Sequence, residues 1–169
     1  RLGSKPRTDR GGRTHCSLQY ACTFSAQPWG MPTVETLREL LSPAEELTIV
    51  CHNNPDPDCL ASALALGRIA AAMGIDERRI LYSGDISHQQ NRAFINLLDI
   101  DLHEFDTESV QNRPEGSLLA FVDHAKPGDN NRVPEGTLID IVIDHHPAEN
   151  IDARFIDHRA EIGATATTP

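Results

Sequence analysis

The chain has 169 residues, 39% of them hydrophobic, which is enough for one compact domain with a core. Its formal net charge is −10 at pH 7, and this argues against binding of long duplex nucleic acid, because proteins that bind the phosphate backbone usually carry a basic patch. No apolar run approaches the length of a membrane span, and residues 1–30 lack the apolar core of a secretory signal, so a cytoplasmic protein without membrane contact is expected.

The basic residues are almost all arginines, since only Lys5 and Lys126 are lysines. An acidic, lysine-poor surface is typical of proteins that work in concentrated salt, where carboxylates keep the surface hydrated. A halophilic source is one expectation, and an ordinary acidic cytosolic protein is the alternative. Residues 1–30 are basic and show no periodic apolar pattern. They are predicted to be a disordered or non-native extension, with Met31 as the natural start.

From Met31 onward, short apolar runs alternate with helical patterns, which is typical of an α/β fold. Thr33 is predicted to cap a helix that ends at Leu41, and further helices are predicted over residues 58–73 and 88–98. The predicted fold is a Rossmann-like parallel β-sheet flanked by helices. The predicted strands are residues 47–51, 80–83, 102–105, 117–122, 138–143 and 154–156.

Two further expectations concern the helices. The helix over residues 88–98 is expected to turn Ala93, Phe94, Leu97 and Leu98 toward the core. A last helix begins at Gly163 without being completed, and no apolar element follows to cover the sheet. The fold is therefore expected to be incomplete at its C-terminus, and residues 31–169 to be part of a longer protein.

Polar side chains follow three of the predicted strands. Because the carboxyl ends of parallel strands meet at one edge of a sheet, we expect these side chains to lie close together. Carboxylate and imidazole ligands suit divalent manganese, magnesium or zinc, and they leave room for an activated water. The pattern therefore predicts metal-assisted hydrolysis. The residues are His52, Asp56 and Asp58 after the first strand, Asp123 and His124 after the fourth, and Asp144, His145 and His146 after the fifth.

Each residue also has an ordinary interpretation. Asp58 could be a helix N-cap, and Asp123 could be a turn residue at the start of a loop. The buried positions predicted for Cys51 and Cys59 suit small hydrophobic side chains, so neither thiol is assigned a catalytic role. The metal-site interpretation is favoured because the polar residues recur after three apolar strands.

The ordered motifs His52-Asn-Asn-Pro-Asp56-Pro-Asp58, Phe121-Val-Asp123-His and Val142-Ile-Asp144-His145-His146-Pro, with Gly163-Ala-Thr-Ala-Thr after them, resemble those of the DHH phosphoesterase superfamily. The resemblance spans residues 47–168. Within the superfamily the chain is most similar to the nanoRNase group, which comprises oligoribonucleases and 3′-phosphoadenosine-5′-phosphate (pAp) phosphatases. The resemblance implies an N-terminal catalytic domain with two divalent metal ions, usually Mn²⁺, with Mg²⁺ or Co²⁺ as possible substitutes.

The resemblance also implies which residues bind the metal ions. His52 and Asp56 would bind one ion. Asp58 and His145 would bind the second, and Asp123 would bridge the pair.

Further roles follow for residues near the substrate. His146 would contact the scissile phosphate, and Asp144 would orient its neighbours. His124 could contact a phosphate or be an ordinary loop residue. Thr165 and Thr167 could contact the substrate or cap a helix.

The implied reaction is hydrolysis of phosphodiester or phosphomonoester bonds in short oligonucleotides or nucleotide phosphates. The alternatives are a RecJ-like single-strand exonuclease, a pyrophosphatase, a cyclic-dinucleotide phosphodiesterase and a non-catalytic nucleotide-sensing module. Family members carry a further metal-binding aspartate and a C-terminal substrate-binding domain, which residues 1–169 do not supply. Asp157 follows His145 too closely to be that aspartate and is predicted to be a turn or strand-end residue. The 169-residue piece alone is therefore expected to be weakly active or inactive.

Overall fold

The structure, a computed structural model, describes residues 33–86 and 88–167. The predictions for residues 1–30, Met31 and Thr168 lie outside these described residues. Within them, no helix is both long and apolar enough to span a bilayer.

Six strands form a parallel sheet in the described part of the chain, in the order β3-β2-β1-β4-β5-β6. The predicted α/β fold with a parallel sheet flanked by helices is confirmed. The strands are β1 (Glu46–Asn53), β2 (Glu77–Ser83), β3 (Leu102–Glu104), β4 (Ser117–Val122), β5 (Ile139–Asp144) and β6 (Ala153–His158). The helical segments are α1 (Val34–Leu41), α2 (Pro57–Ala72), α3 (Gln89–Leu98), α4 (Thr107–Gln111) and a 3-10 turn at Thr165–Thr167.

The strand order determines at which point of the sheet a ligand site is expected. After β1 the chain builds outward through β2 to β3, and it then returns to add β4, β5 and β6 on the other side. The sheet therefore has a switch point between β1 and β4. In open parallel sheets, ligands bind outside the carboxyl ends of the strands at such a point. His52 near the end of β1 and Asp123 after β4 flank this crevice.

The two faces of the sheet are covered differently, because side chains alternate along each strand. Ile49 and Ala120 pack in a core cluster with α1 and α2 on one face. Val50 and Phe121 pack in a second cluster on the other face, with Val110 of α4. The central strands are thus buried on both sides, as expected for a parallel sheet.

Two helix details differ from the sequence prediction. The N-cap of α2 is Asp56, and Pro57 is the first helical residue, where proline's fixed φ and missing N–H are well tolerated. In α3, Phe94 and Leu98 pack against the core as predicted, but Ala93 is exposed and Leu97 is 82% exposed, so the predicted inner face is wrong for these two residues. The buried residue of α3 is Asn91, whose side-chain amide donates to the carbonyl of Pro55.

Gly84 offers a test of the turn after β2. Its φ is +81°, and a Cβ at this position would collide with the side-chain oxygen of Asn54. Gly84→Ala should therefore lower the free energy of unfolding by more than the ~1–2 kcal/mol expected for left-handed backbone strain alone. Gly116→Ala is the matched control, because Gly116 has φ +87° but open space around it. Chemical denaturation measures both, and equal losses would contradict the collision.

Candidate metal centre

The carboxylate of Asp123 lies at the centre of the predicted site and is 3% exposed. Its Oδ2 lies 3.4 Å from Nε2 of His52. Its Oδ1 lies 3.5 Å from Nε2 of His145 and 3.7 Å from Nδ1 of His146. The two oxygens of one carboxylate therefore face imidazoles from two different motifs, and the structure brings the ends of β1, β4 and β5 together as predicted.

The backbone holds Asp123 in an uncommon conformation. Its φ is +63°, in the left-handed region that aspartate and asparagine tolerate better than most residues. Its N–H donates to the carbonyl of Ile143 at 2.9 Å, which ties the end of β4 to β5. The turn-residue interpretation of Asp123 and its central position in the site are thus compatible.

Asp56 and Asp58 have different local roles. Asp56 caps α2, with its Oδ1 accepting the N–H groups of Asp58 at 2.9 Å and Cys59 at 3.0 Å. Asp58 accepts the backbone N–H groups of Thr165 at 2.7 Å and Ala166 at 2.8 Å, one on each carboxylate oxygen. Asp56 lines the cleft beside His52 and Asp123, and the capping role considered for Asp58 belongs to Asp56.

His145 is oriented as a metal ligand would be. Its Nδ1 lies 3.2 Å from the carbonyl of Ile162, and because a carbonyl can only accept, Nδ1 carries the proton. The Nε2 atom then presents a lone pair, 3.6 Å from Oδ2 of Asp58 and 3.5 Å from Oδ1 of Asp123. A carbonyl that fixes the tautomer in this way is a common feature of metal-binding histidines.

Asp144 orients the imidazole ring of His146 through hydrogen bonds. Asp144 is 1% exposed, and its Oδ1 lies 2.9 Å from Nδ1 of His146 and accepts the backbone N–H of the same residue at 3.1 Å. This hydrogen bond raises the pKa of His146, although partial burial opposes the shift. His146 is thereby oriented as a hydrogen-bond donor at the mouth of the cleft.

The charges at Asp123 and His52 are coupled. Burial is the largest influence and disfavours the charged form of each. It is outweighed by the hydrogen bond between them together with their mutual attraction, the carbonyl of Asn53 at His52 and the hydroxyl of Thr165 at Asp123. The pKa of Asp123 is lowered, and the pKa of His52 is raised to about 9. Without a metal ion, a proton on His52 therefore compensates the buried carboxylate. A bound cation would take over that compensation and release the proton.

His124 lines the same cleft but differs in its chemistry. Its Nδ1 donates to the carbonyl of Val122 at 2.9 Å, and its ring stacks on Phe121 with the centroids 4.4 Å apart. Burial lowers its pKa to about 4, so the ring is neutral. Its Nε2 is a buried acceptor without a hydrogen-bond partner among the described residues. A phosphate oxygen also accepts, so a contact from His124 requires a donor such as a hydroxyl or water. Its role in substrate binding stays a prediction.

The two predicted threonines occupy different places. The hydroxyl of Thr165 donates to Oδ1 of Asp123 at 2.8 Å, and the residue is 2% exposed. The hydroxyl of Thr167 donates to the carbonyl of Ala164 at 2.7 Å and is exposed. Neither lines the cleft at Asp123. Thr165 lies behind the carboxylates, where it orients both Asp58 and Asp123.

A cleft of about 550 Å³ is lined by six of the predicted site residues, whereas Asp58 and His145 are not among its lining residues. The six are His52, Asp56, Asp123, His124, Asp144 and His146. Four further polar residues line the cleft, and nothing in the sequence around them distinguishes them from ordinary loop residues. They are Lys126, Asp129, Asn130 and Glu149. Five carboxylate residues and one lysine line the cleft, which makes it unfavourable for a phosphate unless cations are bound.

Two groups of candidate ligands share Asp123, and within each group the ligand atoms lie within 4.8 Å of one another. One group is Asp123 with His145 and His146, and the other is Asp123 with His52 and Cys59. Burial raises the pKa of the Cys59 thiol, and a metal-binding cysteine must be a thiolate, so carboxylate and imidazole are the better donors here. This donor set fits a divalent cation such as Mn²⁺.

Comparison with known proteins gives a consistent picture. Residues 46–168 match the family described as "DHH family, N-terminal domain". An uncharacterised protein from Methanocaldococcus jannaschii is 39% identical over 122 residues, which cover 72% of this chain and 24% of that protein. A probable manganese-dependent inorganic pyrophosphatase from Bacillus cereus is 30% identical over 125 residues, covering 73% of this chain and 39% of the relative.

A probable manganese-dependent inorganic pyrophosphatase from Staphylococcus aureus is 28% identical over 118 residues, which are 69% of this chain and 37% of that protein. Among solved structures, an exopolyphosphatase-related protein from Bacteroides fragilis matches with a TM-score of 0.50 and 15% identity, over 78% of this chain and 39% of that one. This likeness supports the fold alone. The chain spans between about a quarter and two fifths of the length of these relatives.

The two threonines provide a matched pair of variants. Thr165→Val removes the hydroxyl that orients Asp123, and we expect the affinity for Mn²⁺ to fall about 10- to 100-fold, as is usual when a partner of a metal ligand is lost. Thr167→Val removes a hydroxyl that bonds only a backbone carbonyl and should leave the affinity unchanged. Isothermal titration of Mn²⁺ measures both, and an equal effect of the two variants would contradict the role of Thr165.

The hydrogen bond from Asp144 can be tested by titration. Asp144→Asn keeps the shape of the side chain but removes the charge that stabilises the imidazolium of His146. The pKa of His146 should therefore fall in the metal-free protein, and NMR titration of the histidine ring resonances measures it. Asp140→Asn, at the other end of β5, removes a buried carboxylate that pairs with Arg154 and should not change this pKa.

Proposed function

Because this chain belongs to the DHH family, we propose that it forms the catalytic domain of a metal-dependent phosphoesterase. The observation that carries the proposal is the position of Asp123. Each of its carboxylate oxygens faces a different imidazole, that of His52 at 3.4 Å and that of His145 at 3.5 Å. A carboxylate so placed is suited to bridge two cations.

The proposed ligand sets are those that the resemblance to the DHH superfamily implies, and the contacts of Asp123 with His52 and His145 support them. His52 and Asp56 would hold one ion, Asp58 and His145 would hold the other, and Asp123 would contribute to both. Mn²⁺ is the proposed metal, in keeping with the manganese dependence in the names of the pyrophosphatase relatives. When bound, the ions supply Lewis-acid polarisation of the phosphate and an activated water.

The protein's own groups complete the site. His146, whose pKa is raised by Asp144, donates a hydrogen bond to a phosphate oxygen and stabilises the negative charge that develops there. Asp144 is a positioning residue, because its contacts in the site run through His146. Thr165 and the backbone amides near it keep Asp58 and Asp123 in place.

The proposed substrates are short oligonucleotides or nucleotide phosphates, as the similarity to the nanoRNase group implies. The acidic cleft supports a short ligand held through metal ions rather than a long strand. The chain covers 24% to 39% of the length of the relatives described above, so the whole protein's activity is proposed for a longer protein that contains this domain.

Inorganic pyrophosphate is the second candidate substrate. It is favoured by the two bacterial relatives whose names describe manganese-dependent inorganic pyrophosphatases. A panel of pAp, a dinucleotide, pyrophosphate, a cyclic dinucleotide and single-stranded DNA, assayed with Mn²⁺, separates these activities. Tight nucleotide binding without turnover of any of them would favour a sensing module.

Asp123→Asn tests the shared carboxylate. Asparagine tolerates the positive φ at this position, whereas alanine would add backbone strain. In the full-length protein, the variant should lose Mn²⁺-dependent hydrolysis by at least ~100-fold, since it removes one charge from both proposed metal positions. Release of mononucleotide or phosphate measures the activity.

The matched control is Asp101→Asn, an exposed aspartate outside the cleft, which should retain full activity. Calorimetric counting of bound Mn²⁺ gives a second readout, because Asp123→Asn should bind fewer ions. Hydrolysis that survives the loss of Asp123 would refute the bridging assignment.

A further inference from the structure

A second polar pocket of about 320 Å³ lies beside the metal centre, at the carboxyl ends of β2 and β3. We refer to it as the side pocket. Its lining combines aromatic, acidic, amide and guanidinium groups. The lining residues are Asn54, Tyr82, Ser83, Gly84, Asp85, Glu104, Phe105 and Arg132.

The side pocket and the metal cleft share a wall. This wall is the loop of residues 125–132, with Lys126 and Asn130 on the cleft and Arg132 on the side pocket. The side chain of Asn131 makes four hydrogen bonds to backbone groups between Lys126 and Val133. The carbonyl of Asn130 accepts the N–H of Asn53 at 2.7 Å. The wall is therefore fixed to the end of β1.

The floor of the side pocket is also fixed. The N–H of Asn54 donates to the carbonyl of Ser83 at 2.8 Å, and the side-chain oxygen of Asn54 accepts the N–H of Asp85 at 2.8 Å. The N–H of Phe105 donates to the carbonyl of Tyr82 at 2.7 Å. Neighbouring strands lie ~4.8 Å apart, so the end of β3 is ~10 Å from the end of β1, where His52 lies. This separation is comparable to that between a phosphate and the base in one nucleotide.

The chemistry of the lining fits a nucleotide better than a bare phosphate. Asp85 and Glu104 would repel a lone phosphate, but they can accept hydrogen bonds from ribose hydroxyls or an exocyclic amine. Half-buried Tyr82 and Phe105 offer aromatic surface to a base. Within the described residues Arg132 makes no salt bridge, so its guanidinium is available to a phosphate or to the face of a base.

We propose that the side pocket binds the nucleotide next to the scissile phosphate, so that the centre selects short oligonucleotides over inorganic pyrophosphate. This inference rests on the proposed function. It adds Arg132 as a specificity-determining residue, together with the aromatic side chains of Tyr82 and Phe105. Pyrophosphate, which has no nucleoside, gains nothing from the side pocket.

The test compares the binding of two ligands to the full-length protein in the presence of Mn²⁺. One is a diadenylate with a phosphorothioate linkage, which resists hydrolysis, and the other is imidodiphosphate, a stable analogue of pyrophosphate. Arg132→Gln should weaken binding of the diadenylate about tenfold, through loss of a charge-assisted contact, and leave imidodiphosphate binding within about twofold. Arg38→Gln, an exposed arginine of α1 outside both pockets, is the control and should change neither. Calorimetry measures the affinities.

The outcomes separate the two proposals. If Arg132→Gln binds diadenylate as tightly as the original chain, or weakens both ligands equally, the side pocket assignment is overturned. If the unsubstituted full-length protein binds imidodiphosphate but not diadenylate, the assignment is also overturned while the phosphoesterase proposal stands. If the full-length protein binds neither ligand with Mn²⁺, the proposed function itself fails. Arg132 is exposed and makes no side-chain hydrogen bond within the described residues, so the circular dichroism melting curve of the variant should match that of the original chain.

Discussion

The site depends on one buried carboxylate that serves two imidazoles. Asp123 is almost inaccessible to solvent, and a carboxylate in that position needs compensating positive charge. In the metal-free protein, protonated His52 provides that charge, and the hydroxyl of Thr165 adds a hydrogen bond. When the imidazole of His52 is deprotonated, the same arrangement offers ligand atoms on both sides of the carboxylate. Local charge balance therefore links the fold of the metal-free protein to its capacity to bind cations.

The pairing register of β1, β4 and β5 brings the polar motifs that follow these strands to the same height along the sheet. Val50 of β1 pairs with Phe121 of β4, and Phe121 in turn pairs with Val142 of β5. His52, Asp123 and Asp144 each follow their member of this row by two residues, so they reach the edge of the sheet together. A slip of one residue in either pairing would turn one of these side chains to the opposite face. The hydrophobic pattern of the strands thus sets the geometry of the polar site.

Much of this arrangement could be predicted from the sequence, because apolar strands that end in polar motifs are strong signals. Other features depend on contacts between residues that are far apart in the sequence, and such contacts cannot be predicted from local patterns. The inner face of α3 was predicted from hydrophobicity alone, yet Asn91 turns inward because the carbonyl of Pro55 needs a donor, and Leu97 is left exposed. The sequence leaves Thr165 as either a substrate contact or a helix cap. Its hydroxyl instead contacts Asp123, a pairing that becomes visible only when the chain is folded.

The backbone amides of Thr165 and Ala166 reach Asp58 across more than one hundred residues of chain. During synthesis on a ribosome, the first strand and the acidic loop emerge long before the segment that anchors them. Asp56 is held by the amides of its own helix, but Asp58 lacks these two donors until translation has passed residue 166. The orientation of Asp58 is therefore among the last features of this centre to form.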